Sequence, residues 1–150
     1  MAMDADAAAR LNCFALVAYI PDPLGQFLDD LRRELVPRCV PHAHVTILPP
    51  RPVSGGVEAA AGLVQALSSE HPPFDVEASR IEIFPKTEVV YLEVGVGADQ
   101  LLRMHTAMNV GPFEFEEPFQ YHPHITLAQD ISAGEAQKLE IGRASCRERV

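Results

Sequence analysis

The chain holds 150 residues, enough for one domain with a buried core, and its 47% apolar and 22% charged content is that of a soluble globular protein. Its 21 acidic against 12 basic residues, a net charge of −9, make it poorly suited to long nucleic acid, whose binding rests on phosphate neutralisation; small ligands or a strand end remain allowed. No apolar run approaches the ~20 residues of a membrane span, and "MAMDADAAAR" carries acids where a secretory signal carries bases, so a cytoplasmic location is expected.

In chain order, "CFALVAYI" (13–20) is a continuous apolar run ended by Pro21, which predicts a buried strand. Asp22 reads as a helix N-cap with Pro23 at the first helical position. Leu24, Phe27, Leu28, Leu31 and Leu35 then recur at helical spacing until Pro37. "HVTIL" (44–48) is a second strand, closed by Pro49 and Pro50. Ser54 or Gly55 opens a second helix to about Ser69, with Val57, Ala60, Ala61, Val64 and Leu67 along one side. "FDVEASRIEIF" (74–84) alternates apolar and polar, as a half-exposed strand does. Pro85 to Glu88 turn the chain into the apolar strand "VVYLEVGV". The glycines of "VGVG" (94–97) lack the spacing of a nucleotide-binding loop and are expected to end the strand. Asp99 to Asn109 form a third helix with Leu101, Leu102, His105 and Met108 inward, stopped by Gly111 and Pro112. "HITLA" (124–128) follows, and "SAGEAQKLE" starts a fourth helix.

The last stretch, "IGRASCRERV", has no apolar period and places three arginines within seven residues. It resembles a translated sequencing adapter, so residues 141–150 are expected to be a non-native tail on a gene that continues past about Glu140. Without that tail the balance becomes 9 bases against 20 acids, or −11. The cysteines, at 13, 39 and 146, are odd in number and at no metal-ligand spacing, which argues against a disulfide framework. Cys13 and Cys39 read as small buried hydrophobes.

One pattern occurs twice. "PHAHVTILPP" (41–50) and "YHPHITLAQ" (121–129) share His-x-His-(Val/Ile)-Thr-(Ile/Leu), with His42, His44 and Thr46 matching His122, His124 and Thr126. Histidine occurs only 6 times in the chain, so a chance repeat of this kind is remote. Strand, helix, His-x-Thr strand, helix, strand describes 13–84, and the same order up to a beginning helix describes 89–140. The expected fold is therefore α+β: a bilobal single domain over 1–140. Two β-α-β-α-β units (13–84 and 89–140), related by a pseudo-twofold, flank a central cleft. The second lobe lacks its last strand, which leaves an exposed edge.

On a strand, residues i and i+2 point the same way, about 6.6 Å apart. His44 and Thr46 share a face, as do His124 and Thr126, while Val45, Ile47, Ile125 and Leu127 face the core. Two such pairs meeting across a cleft suit phosphodiester chemistry. One neutral imidazole takes a proton from the attacking oxygen and a protonated one gives a proton to the leaving oxygen. The threonine hydroxyls donate to the nonbridging oxygens, and no metal is required. These motifs resemble the paired His-x-Thr motifs of the 2H phosphoesterase superfamily, in its 2′-5′ RNA ligase and cyclic phosphodiesterase branch, over about residues 12–140. The resemblance implies a bilobal fold and cofactor-free action on 2′,3′-cyclic phosphates, 2′-5′ linked RNA ends or small cyclic nucleotides. It makes His44 and His124 the acid/base pair and Thr46 and Thr126 the phosphate-binding residues, in a protein expected to act as a monomer.

Other residues carry two readings each. His42 and His122 form His-x-His pairs that could join His44 and His124 around zinc; no carboxylate sits at a helpful offset, so they read instead as residues at the cleft entrance or supporting the catalytic pair. Tyr121 could stack on a base or line the cleft mouth. Arg51 could meet a phosphate or stand alone on the surface. Phe84 and Lys86, at the turn before the second half, could border the pocket but are not counted among the site residues; His105 is expected to pack on its helix and His71 to lie in a loop. A binding module using the same cleft without turnover is the rival from another functional class, and a histidine-metal protein is the third.

Overall fold

A computed structural model describes residues 13–38, 40–129 and 148–149. The described residues form an antiparallel sheet with three helices. Its strands are β1 (Cys13–Tyr19), β2 (His44–Pro52), β3 (Glu77–Ile83), β4 (Val90–Val94), β5 (His124–Ala128) and the two-residue β6 (Glu148–Arg149). The helices are α1 (Leu24–Leu35), α2 (Gly56–Ser68) and α3 (Ala98–Met108), followed by a short 3-10 turn (Gly111–Phe113). The spatial order is β1-β2-β5-β4-β3-β6, every neighbouring pair antiparallel. The fourth helix expected from "SAGEAQKLE", Cys39, Cys146 and most of the stretch 141–150 lie outside the described residues.

The helices cover one face of this sheet. Leu24, Leu28 and Leu31 of α1 and Leu101 and Met108 of α3 join Val45, Ile47, Ile125 and Leu127 in one buried cluster. The period-3.6 stripe of α1 meets the period-2 stripe of β2 and β5 there, which removes both apolar surfaces from water. Asp22 does satisfy a first-turn amide, since Gln26 N–H donates to its Oδ1 at 3.0 Å, but the helix begins one residue later than expected, with Pro23 as the flanking residue. No helix among the described residues is long and apolar enough to cross a membrane.

Several expectations are corrected by position in the sheet. β1 is not fully buried: it lies at the sheet edge, and Cys13, Ala15, Ala18 and Tyr19 are exposed while Phe14 and Leu16 pack inward. Cys13 is thus a free, exposed thiol. β2 does not stop at Leu48 but runs on to Pro52, paired with β1 across register shifts. β5 begins at His124 and has no further strand to offer that side of β2, so the N–H groups that Pro49 and Pro50 lack are not needed there. Phe27, Val57 and Leu102, placed inward by helical spacing, are exposed, and α2 has no fully buried residue. β3, counted with the first half, pairs with β4 of the second; the short turn at 84–89 makes a hairpin of the two. The strand "VVYLEV" ends before Gly97, which opens α3 at φ 92°; a Cβ there would stand 2.4 Å from Asp75 O.

Candidate active site

β2 and β5 each open on a histidine, and each alternates as the sequence predicts. Val45, Ile47, Ile125 and Leu127 are buried on the helix-covered face, and His44, Thr46, His124 and Thr126 are half-buried on the other. The two strands share a single registered pair, Val45 with Ile125. Antiparallel pairing then sets His44 across from Thr126 and Thr46 across from His124. The four side chains form a rectangle on one sheet face, with the imidazoles on its diagonal, about 7–8 Å apart by strand geometry. Ala43 fixes the approach to His44. Its N–H donates to Asp29 Oδ1 of α1 at 2.8 Å, and its carbonyl accepts from Ile20 N–H at 2.9 Å.

Both rings are oriented alike. His44 Nδ1 lies 2.7 Å from the His42 carbonyl, and His124 Nδ1 lies 2.6 Å from the His122 carbonyl. A carbonyl oxygen only accepts, so each Nδ1–H donates, and in each neutral ring the lone pair is left on Nε2. His124 sits edge-on to Phe84 (centroids 5.0 Å) and Tyr91 (5.5 Å). Burial there holds its pKa below the ordinary histidine value. The His122 carbonyl bond opposes that shift, and the nearby His122 and His44 rings reinforce it. His44 has a different neighbour, the exposed Tyr19, whose ring meets it edge-on at 6.5 Å.

A cleft of about 470 Å³ extends to one side of this rectangle. Thr46 and His124 line it; His44 and Thr126 are not among its lining residues. Its walls come from Pro49 and Pro50 of β2, from Phe84 to Thr87 of the β3–β4 turn, and from Glu117 to His122 before β5. Phe84, Lys86, Tyr121 and His122 therefore all border the cleft.

The remaining predicted residues have other partners. The His42 ring stacks on Tyr19 (3.6 Å, 6°), and His122 Nε2 is 2.9 Å from Glu93 Oε2. Those contacts turn the outer histidines to separate neighbours, and among the described residues no three His, Cys, Asp or Glu side chains converge as a metal site. Arg51 is neither on the surface nor free for a phosphate. It is 1% exposed, and its guanidinium donates to Pro49 O (3.0 Å), Asn109 Oδ1 (2.7 Å), Phe113 O (2.8 Å) and Glu117 Oε2 (2.7 Å). Tyr121 lines the cleft, but one face of its ring is already covered by His105 (4.0 Å, 1°), and its hydroxyl donates to Thr46 O at 2.8 Å. His105 packs beyond its helix, with Nε2 2.6 Å from Glu117 Oε2. Glu93, Glu117, Asn109 and Asp29 were not singled out from the sequence. Only Glu93 carried a signal, as the one charge in an otherwise apolar strand.

Fold and site together define an α+β protein whose sheet presents two histidines and two threonines on adjacent antiparallel strands beside a cleft. The chain belongs to the 2′-5′ RNA ligase superfamily, whose family model matches residues 20–142. It is also similar to a protein of Geobacillus kaustophilus named "Putative phosphoesterase", at 24% identity over 131 residues, 81% of this chain and 72% of that one. A protein of the same name in Oceanobacillus iheyensis is 30% identical over 73 residues, 48% of this chain and 42% of its own length. For one in Geobacillus thermodenitrificans the figures are 26% over 94 residues, 61% and 54%. The matches thus take in about half the length of the latter two relatives.

Proposed function

We propose that the protein is a metal-independent phosphoesterase that opens nucleoside 2′,3′-cyclic phosphates or related small nucleotide and RNA-end esters by two-histidine acid/base catalysis. The observation that carries this reading is the β2–β5 register, which puts both imidazoles, each with Nδ1 tied to a carbonyl, on one face with two hydroxyls between them. In hydrolysis, His124 Nε2 takes a proton from water as its oxygen attacks phosphorus. His44, protonated, gives its proton to the departing ribose oxygen as the P–O bond breaks. Thr46 and Thr126 donate to the nonbridging oxygens, where charge accumulates. Burial favours the neutral form of His124, which suits it to the base role. The reading is supported by the superfamily match and by the phosphoesterase names of the relatives. We further read the fold as a duplication, with an axis between β2 and β5. The run β1-β2-β5-β4 is the same from either end in this reading, and the Nδ1–carbonyl bonds correspond.

Incubating the protein with the four nucleoside 2′,3′-cyclic phosphates in EDTA tests the proposal. Turnover that survives chelation supports it, turnover that a chelator abolishes points to metal chemistry, and binding without turnover leaves a module. Because the attacking base must be neutral, kcat/KM falls as pH drops through the folded His124 pKa. That pKa is depressed, so the acid limb is expected below pH 6.5, the ordinary histidine value. Stability follows the same sign. Between the folded value and 6.5 the unfolded chain binds the extra proton, so the fold loses stability as pH falls through that window.

The cleft wall also constrains the substrate. Phe119 is 63% exposed on a wall that it shares with Pro49, Pro50, Phe84, Pro85, Pro118 and Tyr121, beside the polar Lys86, Thr87, Glu117 and Gln120, and the apolar part of that wall suits a flat base. Phe119→Ala is expected to raise KM for a purine cyclic phosphate about tenfold with kcat little changed, as for the loss of one base-stacking side chain. Steady-state kinetics on the purified variant checks this.

A further inference from the structure

We propose that Tyr121 is a positioning residue, whose hydroxyl fixes Thr46 opposite His124 and is itself set by a buried chain through His105, Glu117 and Arg51. The proposal rests on the two-histidine reading of the site. Its starting point is the weakness of the β2–β5 junction. The rectangle of catalytic and phosphate-binding side chains spans two strands that share one registered pair. The residue that leads into β5 is Pro123, which has no N–H to add to the ladder. A phosphoryl group held between His44 and His124 needs both strands fixed to a fraction of an ångström, and so short a ladder leaves that to other contacts.

Tyr121 supplies one. Its O–H donates to the Thr46 carbonyl at 2.8 Å, from 75 residues away in sequence, and so ties the entry of β5 to the backbone of β2 at the residue facing His124. Burial pushes the phenol pKa far up, so the group remains a donor across the working pH range. The ring cannot tilt away, because His105 of α3 lies flat against it at 4.0 Å. His105 is held by Glu117 Oε2 at 2.6 Å, and the same oxygen accepts from Arg51 Nη2 at 2.7 Å. Arg51 belongs to β2, five positions beyond Thr46. The segment 117–121 is therefore strapped to β2 at both ends, with His105 of α3 against the same two end residues, and the strap that sets Thr46 also shapes one wall of the cleft.

Tyr121→Phe keeps the ring and removes the hydroxyl. In the full chain it is expected to lower kcat about tenfold or more on a nucleoside 2′,3′-cyclic phosphate while KM stays within about twofold, because geometry and not binding is lost. Amide hydrogen exchange of the same variant should quicken by about tenfold at residues 45–48 and 124–126 and stay unchanged in α1. Quickened exchange with a normal kcat makes the tie merely structural and overturns the proposal, as does unchanged exchange. A raised KM at constant kcat also overturns it, by making Tyr121 a binding residue. If the wild-type protein turns over none of the cyclic phosphates, the functional reading fails by itself. The positioning claim is then decided by the exchange data and by His124 Cε1–H in the proton spectrum, which must move in Tyr121→Phe for the claim to stand.

Discussion

Alanine in place of His124 or His44 is expected to lower turnover of a nucleoside 2′,3′-cyclic phosphate by about a hundredfold or more in each single variant, the usual worth of a positioned acid or base. The two losses arise differently. Without His124 the attacking water has no base, and raising the pH, which supplies hydroxide, recovers part of the rate. Without His44 the departing ribose oxygen leaves unprotonated, and a substrate with a more acidic leaving group recovers the rate instead. The double variant is expected to be little worse than either single one, because acid and base act in the same displacement step and the losses of groups that act as a unit are not additive. Stability gives the control. His44 and His124 are half-buried and bond only a carbonyl through Nδ1, so the variants should stay folded in a urea titration. Losses of only twofold in both single variants, measured on folded protein, would remove these histidines from the chemistry.

The site was legible in the sequence because a strand has a period of two. Once "HVTIL" and "HITLA" are read as strands, the shared face of histidine and threonine follows without knowledge of the rest of the fold. The period does not report the neighbour of each strand. That is why "CFALVAYI" reads as buried although β1 lies at the edge, and why the pairing of β3 with β4 across the two halves is not visible in either strand. Local proline rules misplaced the end of β2, since a proline is excluded only where the ladder needs its N–H. The polar contacts were least visible. Arg51 meets Asn109 and Glu117 at 58 and 66 residues' separation, and no composition or spacing rule joins them. A lone arginine after two prolines reads as surface in one dimension; in three it is among the most buried side chains of the protein. Tyr121 shows the same limit, since its motif position marked the cleft but not the bond to Thr46.

That buried arginine sets the largest expected effect on stability. Glu117→Ala is expected to cost about 3–5 kcal/mol, the usual penalty for removing one partner of a buried ion pair. That is a large share of the roughly 5–15 kcal/mol available to a domain of this size. The Arg51–Glu117 bridge spans 2.7 Å between side chains only 1% and 9% exposed, so water cannot replace the lost carboxylate. Arg51 keeps its three other acceptors, all neutral, and retains its charge in a site of low polarity. His105 loses its acceptor at the same time, which loosens the ring that braces Tyr121, so activity is expected to fall with stability. A second substitution separates charge from packing. Removing the arginine as well, in Arg51→Met with Glu117→Ala, takes away the orphaned charge. It takes the Arg51 donors from the Pro49 and Phe113 carbonyls and leaves Asn109 Oδ1 with Phe115 N–H alone, and so is expected to recover much but not all of the loss. Urea midpoints of the three proteins at constant m-value measure the difference. A double variant less stable than Glu117→Ala alone would show that Arg51 stabilises through its neutral acceptors and stem packing, and that the bridge to Glu117 is not what holds the segment 117–121 against β2.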